Sequence, residues 1–346
     1  MSATTSTGAS FGTNSWLVEE MYEQYREDPD SVGEAWQEFF ADYKSTNPAL
    51  SATASAPAPG DDDAAPTPAP APAAARPAPA APAAAPASPA APASAPATPA
   101  PATPVDEEGA PIRGAGAMIA ANMERSLGVP TATSFRNVPA KLLEVNRKVI
   151  NGYRARSGMG KVSFTHIIGY AIVRAIADAV PNLRNTFVAG ADGKPRLVKH
   201  DTVNMGLAVD VEKSDGSRTL VVPVVRDADT LDFAGFLAAY EEIIRKVKSN
   251  KLTVADFQGA TVSLTNPGTI GTVQSVPRLM PGQGVIVGVG AIDYPAEFEG
   301  SDRANLSSLG ISKVVTITST YDHRIIQGAE SGLFLKRVHE LLLGEH

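Results

Sequence analysis

The chain has 346 residues, of which 43% are apolar and 19% charged, with a formal net charge of −7 and no cysteine. The lack of cysteine excludes a disulfide framework, a cysteine-ligated metal and a cysteine nucleophile. No two of the five histidines have the i, i+4 spacing of a helical metal site, so we predict no metal site. The longest apolar run is far below the ~20 residues that span a bilayer, and we find no signal peptide pattern. We therefore expect a cytoplasmic protein that does not contact the membrane.

Proline content divides the chain into three parts. Sixteen of the 28 prolines lie between residues 57 and 104, and no aromatic residue occurs between Tyr43 and Phe135. A segment of this composition cannot bury enough surface to offset the entropy lost on ordering it. The predicted parts are a helical docking arm at 1–45, a disordered Ala/Pro-rich linker at 46–110 and a globular domain at 111–346.

Charge is distributed unevenly among these parts. Residues 1–43 carry nine acidic residues and one basic residue, whereas the chain beyond residue 108 has a net charge of +5. A mildly basic domain suits a small anionic ligand. The excess of positive charge is too small and too dispersed to bind nucleic acid.

The arm is predicted to form two short amphipathic helices over residues 14–43, separated at Asp28-Pro29-Asp30. Ser31 and Glu34 have the spacing of a capping box for the second helix, which carries one Trp and two Phe. Two interpretations are open. The arm docks on its own domain, or it binds a partner protein. Its aromatic content and the long spacer favour the second interpretation.

The globular part shows both helical and strand patterns. Helices are predicted at 138–157, 163–180, 230–248 and 329–343. Strands are predicted at 204–211, 219–225, 261–265, 285–291 and 313–320. This order indicates an α/β fold with a mixed sheet and hairpins, not the strict alternation of a doubly wound fold. The Gly-x-Gly fragments lack a following helix, so they do not predict a dinucleotide site.

A catalytic base would come from one of five histidines. His166 lies in an apolar helical segment and is expected to be a core or interface residue. His200 lies in a charged turn and is expected to be solvated, and His339 and His346 belong to the last helix and the terminus. His323 lies at a predicted strand-to-helix junction, where side chains can point into a cleft. Its position alone leaves a catalytic and a structural role equally open.

Four motifs then occur in order along the chain. They are L-V-V-P-V-V-R-D at 220–227, K-L-T-V-A-D-F at 251–257, T-V-S-L-T-N-P-G-T-I-G-T at 261–272 and D-H-R-I-I-Q-G-A at 322–329. Together they resemble the catalytic domain of 2-oxoacid dehydrogenase acyltransferases, and most closely the dihydrolipoyl succinyltransferase branch. The arm resembles the N-terminus of the thiamine-dependent component of 2-oxoglutarate dehydrogenase. The combination is similar to bacterial multifunctional 2-oxoglutarate decarboxylase/dehydrogenase fusions.

The resemblance implies a chloramphenicol-acetyltransferase-like fold that assembles as homotrimers, or multiples of trimers, with active sites between subunits. Coenzyme A is a substrate there, and the dihydrolipoyl group enters from the opposite end of the same channel. The essential histidine of the family falls on His323. The family's Ser/Thr position falls on Thr265, whose hydroxyl would donate to the tetrahedral oxyanion. Asn266, Asp322, Arg324 and Gln327 are the implied supporting residues.

One position departs from the family pattern D-H-R-x-x-D-G. Gln327 stands where the second Asp is expected, and Gln keeps a hydrogen bond but not a charge. This departure leaves two functions open. One is a succinyltransferase of the tricarboxylic acid cycle, and the other is a catalytically weak trimeric scaffold that organises a decarboxylase.

The expected partners follow from the same resemblance. The chain shows no lipoyl domain, so the lipoyl group is expected from a lipoyl-bearing acyltransferase component, with dihydrolipoyl dehydrogenase as a further partner. Thiamine diphosphate and Mg are expected only if a longer parent chain carries the decarboxylase part.

Overall fold

The computed structural model describes residues 15–41, 43, 112, 115–212 and 218–345. Every described residue belongs to one compact unit of the chain. The predicted linker and the turn predicted at 213–216 lie outside the described residues.

Helices and strands alternate irregularly along the described chain. The helices are α1 (Ser15–Glu27), α2 (Glu34–Ala41), α3 (Ala115–Leu127), α4 (Lys141–Arg156), α5 (Phe164–Ala179), α6 (Phe233–Lys248), α7 (Arg303–Ser308) and α8 (Gly328–Leu342). The strands are β1 (Thr131–Pro139), β2 (Thr186–Ala189), β3 (Pro195–Val198), β4 (Met205–Leu207), β5 (Val209–Glu212), β6 (Arg218–Val221), β7 (Val224–Val225), β8 (Val262–Thr265), β9 (Val285–Asp293) and β10 (Val314–Asp322).

Six of the strands form one mixed sheet in the order β1-β10-β9-β8-β4-β7. Strand β8 runs parallel to both of its neighbours, β9 and β4, and the other pairs are antiparallel. Strands β2 and β3 form a separate hairpin, as do β5 and β6. The predicted α/β class with a mixed sheet is confirmed.

The main core lies between this sheet and helices α5 and α8. Ile168, Ile172 and Ile176 recur every four residues on α5, which places them on one helix face, and all three are fully buried. On α8, Phe334 and Val338 follow the same spacing and are also fully buried. Burial of each such side chain stabilises the fold by roughly 1.5–3 kcal/mol.

The arm packs on the globular part through a second apolar cluster. Val18 on α1 and Trp36 and Phe40 on α2 are buried with Phe257. The Trp36 indole Nε1 donates a hydrogen bond to the carbonyl oxygen of Leu252 at 3.2 Å. The favoured interpretation, that the arm keeps its aromatics for a partner, is therefore wrong for Trp36 and Phe40. The cost of closing a long loop grows only slowly with its length, so the chain's own surface can take them.

The predicted capping box at Ser31 is also wrong. The Ser31 hydroxyl donates to the carbonyl oxygens of Asp28, at 2.5 Å, and Gln24, at 3.1 Å. Helix α2 begins after Gly33, whose carbonyl oxygen accepts from Trp36 N at 2.7 Å. The reason is that Ser31 belongs to a 3-10 turn at Pro29–Ser31, and its hydroxyl bonds to residues that precede it.

Five elements of the domain are missing from the sequence predictions, namely α3, β1, β2, β3 and α7. Strand β1 occupies residues where a helix was predicted to begin, and α4 starts only at Lys141. Helix α3 precedes this strand. Strand β1 lies at the edge of the sheet, so most of its polar residues stay partly exposed and the alternating apolar pattern of a strand is absent.

Candidate active site

The turn between β10 and α8 holds His323. Asp322, the last residue of β10, is buried and receives two hydrogen bonds from the Arg324 guanidinium, at 2.8 Å from Nε and 2.6 Å from Nη2. The guanidinium carbon lies 3.6 Å from the centre of the Phe187 ring on β2. A bidentate pair stacked on an aromatic ring fixes the planes of both groups, so the main chain on either side of His323 is restrained.

The His323 side chain itself is exposed. Its main-chain N–H donates to the carbonyl oxygen of Pro130 at 2.9 Å, and its ring centre lies 5.5 Å from that of Tyr321. The imidazole forms no hydrogen bond with any residue that the structure describes. Both ring nitrogens are therefore available to a substrate.

Gln327 ends this turn and caps α8. Its main-chain N–H donates to Glu330 Oε2 at 2.7 Å. Glu330 Oε1 in turn accepts from Asn182 Nδ2 at 2.8 Å, and the same amide donates to the Ile325 carbonyl at 3.0 Å. Asn182 thus ties the His323 turn to the segment after α5. Sequence reasoning missed this residue, because nothing in its local pattern marks it.

Thr265 is the last residue of β8 and is half-buried. Within the described residues, its hydroxyl has no hydrogen-bond partner. Asn266 follows it with φ −127° and ψ 76°, and its Nδ2 donates to the Thr165 hydroxyl on α5 at 2.7 Å. Beyond Asn266 the chain lies directly on β9, where a Cβ atom at Gly268 would overlap the main chain of Gly290.

The two predicted catalytic side chains are far apart within one chain. Thr265 pairs with Gly288 on β9, and Gly288 pairs with Thr318 on β10. His323 follows Thr318 by five residues, which is roughly 17 Å along the strand direction at about 3.3 Å per residue. One chain therefore does not bring Thr265 and His323 to the same reacting atom.

Two other histidines, His166 and His200, contact neighbouring residues of the fold. His166, as predicted, is buried. Its Nδ1 accepts from Ser163 N and its own N–H donates to Ser163 Oγ, both at 3.2 Å. The prediction that His200 is solvated is wrong, because its Nε2 lies 3.0 Å from the Thr186 hydroxyl and its main-chain N–H donates to Asn185. Burial lowers the pKa of both imidazoles, so both favour the neutral form.

Among the described residues, no group of three or more His, Asp or Glu side chains is arranged to hold a metal ion. In the same part of the chain, no helix has the length and apolar character needed to cross a bilayer.

The family model for the catalytic domain of 2-oxoacid dehydrogenase acyltransferases matches residues 104–344. The chain belongs to this family, and the predicted resemblance is confirmed. A second family model, the 2-oxoglutarate dehydrogenase N-terminus, matches residues 7–47.

Curated relatives match nearly the whole chain. Enzymes named multifunctional 2-oxoglutarate metabolism enzyme are 53% identical over an alignment of 369 positions in Mycobacterium sp. strain JLS and 51% identical over one of 350 positions in Mycolicibacterium vanbaalenii. Each alignment covers 97% of this chain but only 29% and 28% of the relative. The chain thus spans less than a third of the length of these relatives.

Solved structures agree on the fold. The Azotobacter vinelandii dihydrolipoamide acetyltransferase, studied for the roles of a serine, a histidine and an asparagine in its catalytic mechanism, is 26% identical with a TM-score of 0.57. The cubic core of a pyruvate dehydrogenase multienzyme complex gives the same identity and TM-score. Both alignments cover 70% of this chain and 96% of the solved chain.

Proposed function

We propose that this domain transfers a succinyl group between dihydrolipoyl-lysine, supplied by another polypeptide, and coenzyme A. The observation that carries the proposal is His323, an exposed imidazole without a hydrogen-bond partner in the described chain, on a turn fixed by the Asp322–Arg324 pair. The relatives named for 2-oxoglutarate metabolism support the succinyl group. Loss of carbon dioxide from a five-carbon 2-oxodiacid leaves the four-carbon succinyl unit.

The proposed chemistry is a thioester exchange. A thiol with a pKa of about 8.5 is mostly protonated at neutral pH, so a neutral imidazole is a suitable base. His323 takes the thiol proton as the sulfur forms a bond to the thioester carbonyl carbon. The Thr265 hydroxyl donates to the oxyanion, the original carbon–sulfur bond breaks, and His323 returns the proton to the leaving sulfur.

A second copy of the chain would complete this site. The separation of Thr265 from His323 within one chain supports a homotrimer, or a multiple of trimers, in which each site combines the two residues from neighbouring subunits. Ile270, Val273 and Val276 follow Thr265 and are 81%, 67% and 61% exposed. Such clustered apolar surface suits a contact between subunits.

The proposal also includes the partners and the cofactors of the reaction. A lipoyl-bearing acyltransferase component would supply the dihydrolipoyl arm in trans, and dihydrolipoyl dehydrogenase would reoxidise it. Thiamine diphosphate with its Mg would enter only if a longer parent chain carries the decarboxylase part, which the relatives' name as multifunctional 2-oxoglutarate metabolism enzymes supports. The whole assembly would work in the cytoplasm as part of the tricarboxylic acid cycle.

The direct test is an acyl-transfer assay with succinyl-CoA and free dihydrolipoamide. His323→Ala is expected to lower kcat about 10²–10⁴-fold, while His346→Ala, at the last residue, serves as the matched histidine control. A comparison of kcat/KM for succinyl-CoA and acetyl-CoA tests the acyl group. Retention of more than about a tenth of the wild-type rate in His323→Ala would remove this residue from the mechanism.

A catalytically weak trimeric scaffold is the second candidate, and Gln327 favours it. The residue stands four positions after His323, where the family pattern expects a carboxylate. If the site has decayed, Gln327→Asp should raise the transfer rate by about two orders of magnitude. If the position serves only as the cap of α8, the rate should change by no more than a few-fold, and the enzyme interpretation stands.

A further inference from the structure

We infer that Thr165, on α5, is a positioning residue for the acyl-transfer site: its hydroxyl holds Asn266 and thereby orients the neighbouring Thr265. The inference rests on the proposed function of Thr265. Thr165 is 100 residues away from Thr265 in sequence, and neither the family pattern nor local periodicity marks it.

The contact itself is a short hydrogen bond between two half-buried side chains. Asn266 Nδ2 donates to Thr165 Oγ1 at 2.7 Å. Asn266 is the first residue after β8 and directly precedes the 3-10 turn at Pro267–Ile270. The bond to Thr165 therefore holds the chain at the point where it leaves the strand.

The chain after Asn266 is held from another side, by β9 and β10. Ala291 N donates to the carbonyl oxygen of Thr272 at 2.8 Å, and the Thr318 hydroxyl donates to that of Ser275 at 3.0 Å. These contacts fix the segment some residues after the turn. The bond to Thr165 fixes the turn at its start, directly beside Thr265.

The start of α5 is a firm support for this bond. Ser163 and His166 form the reciprocal capping box that closes the first turn of the helix, and the buried His166 ring packs edge-on against Tyr240 at 4.4 Å between ring centres. A cavity of about 630 Å³ borders the same helix start. The capping box and the contact of His166 with Tyr240 therefore hold the first turn of the helix, which carries Thr165.

Kinetics of the assembled protein test the inference. Thr165→Val keeps the side-chain shape but removes the hydroxyl, and we expect kcat to fall about 10- to 100-fold, because displacement of a reacting group by about 1 Å can cost that much. The KM for coenzyme A should stay within about twofold, and Thr165→Ser should recover most of kcat. Thr316→Val is the matched control, because it removes a similar bond, from Thr316 Oγ1 to Asn137 Oδ1 at 2.8 Å.

A double-mutant cycle with Asn266→Ala tests whether Thr165 acts on the site through Asn266. If Thr165 acts through Asn266, the double variant should be no slower than Asn266→Ala alone. Losses that multiply would overturn the inference, as would a Thr165→Val enzyme that keeps more than half of wild-type kcat, or a Thr165→Ser enzyme as slow as Thr165→Val.

Amide hydrogen exchange separates this inference from the proposed function. Exchange in the 265–272 segment should rise at least about threefold in Thr165→Val and not in Thr316→Val. If the wild-type protein shows no acyl transfer, or Thr265→Ala leaves kcat unchanged, the proposed function fails and exchange alone decides the positioning role. Unchanged exchange in Thr165→Val would then overturn it.

Discussion

Asp322 and Arg324 flank His323 and restrain its main chain from both sides. The carboxylate is buried and accepts both guanidinium bonds, and Phe187 covers the guanidinium face. The histidine ring is left exposed, so the turn is restrained where it carries the proposed base and open where a substrate would approach. The local sequence is sufficient to predict that these three residues lie together, because they are consecutive in the chain.

His166 gives a prediction for pH dependence. Burial lowers its pKa below the ordinary 6.5, with Arg154 adding to this effect and Glu241 opposing it. At a pH between the two pKa values, the unfolded chain binds a proton at His166 that the folded chain does not bind. The free energy of unfolding is therefore highest above the ordinary pKa of the unfolded chain, and this part of it is lost as the pH falls through the folded-state pKa. We expect the free energy of unfolding of the wild type to decrease more between about pH 7 and pH 5 than that of His166→Gln.

Gln at this position can complete the same capping box without titrating, which makes it the matched variant. His200 is present in both proteins, so its own titration cancels in the comparison. Urea denaturation at both pH values is the measurement. Parallel loss of stability in the two proteins would contradict a role for His166 in the pH dependence.

Among the elements, β9 is unusual in carrying glycines where another segment crosses it. A methyl group at Gly290 would overlap the carbonyl oxygen of Val273. The crossing segment continues from Thr265, so these glycines let the chain of the site lie flat on the sheet. Close main-chain approach of this kind requires glycine.

Gly290→Ala should therefore lower the free energy of unfolding by about 3 kcal/mol or more, since neither main chain can move aside without disturbing the sheet. Gly332→Ala is the control. Gly332 lies within α8 with nothing within 4 Å of an added Cβ, and the change should raise stability by roughly 0.5–1 kcal/mol. Equal effects of the two substitutions in chemical denaturation would refute the argument.

The arm is the second element with a measurable consequence. Trp36 is 5% exposed and bonds to the Leu252 carbonyl, so its indole is shielded from solvent. In a Trp16→Phe variant, Trp36 becomes the only tryptophan of the chain. We expect blue-shifted emission that iodide quenches weakly, and a red shift when denaturant is added. Solvent-exposed emission in the native protein would mean that the arm does not stay on its domain.

At the scale of the whole molecule, the separation of Thr265 from His323 predicts complementation. His323→Ala and Thr265→Ala should each be inactive alone. When both chains are refolded together, an interface that takes His323 from one chain and Thr265 from the other regains a complete site. Random mixing in a cyclic trimer gives such a site at about one interface in four. Transfer activity should return to roughly a quarter of the wild-type rate, whereas a site within one chain would stay inactive.

The sequence predicted the family, the mixed sheet and most long helices, because these depend on short motifs and on apolar periodicity. It also proposed His323 and Thr265 as catalytic residues, through motifs of adjacent residues. It missed β1, whose edge position leaves its polar side chains partly exposed, and it misjudged His200, which is half-buried through contacts with Thr186 and Asn185.

Only the tertiary structure decided how the parts meet. The register of β8, β9 and β10 separates Thr265 from His323, and the folded surface around Phe257 takes the aromatic residues of the arm. Asn182 and Thr165 acquire their contacts across 148 and 101 residues of sequence. Local patterns report which face of an element is apolar, but these contacts arise between elements, where the packing of the whole chain sets the distances.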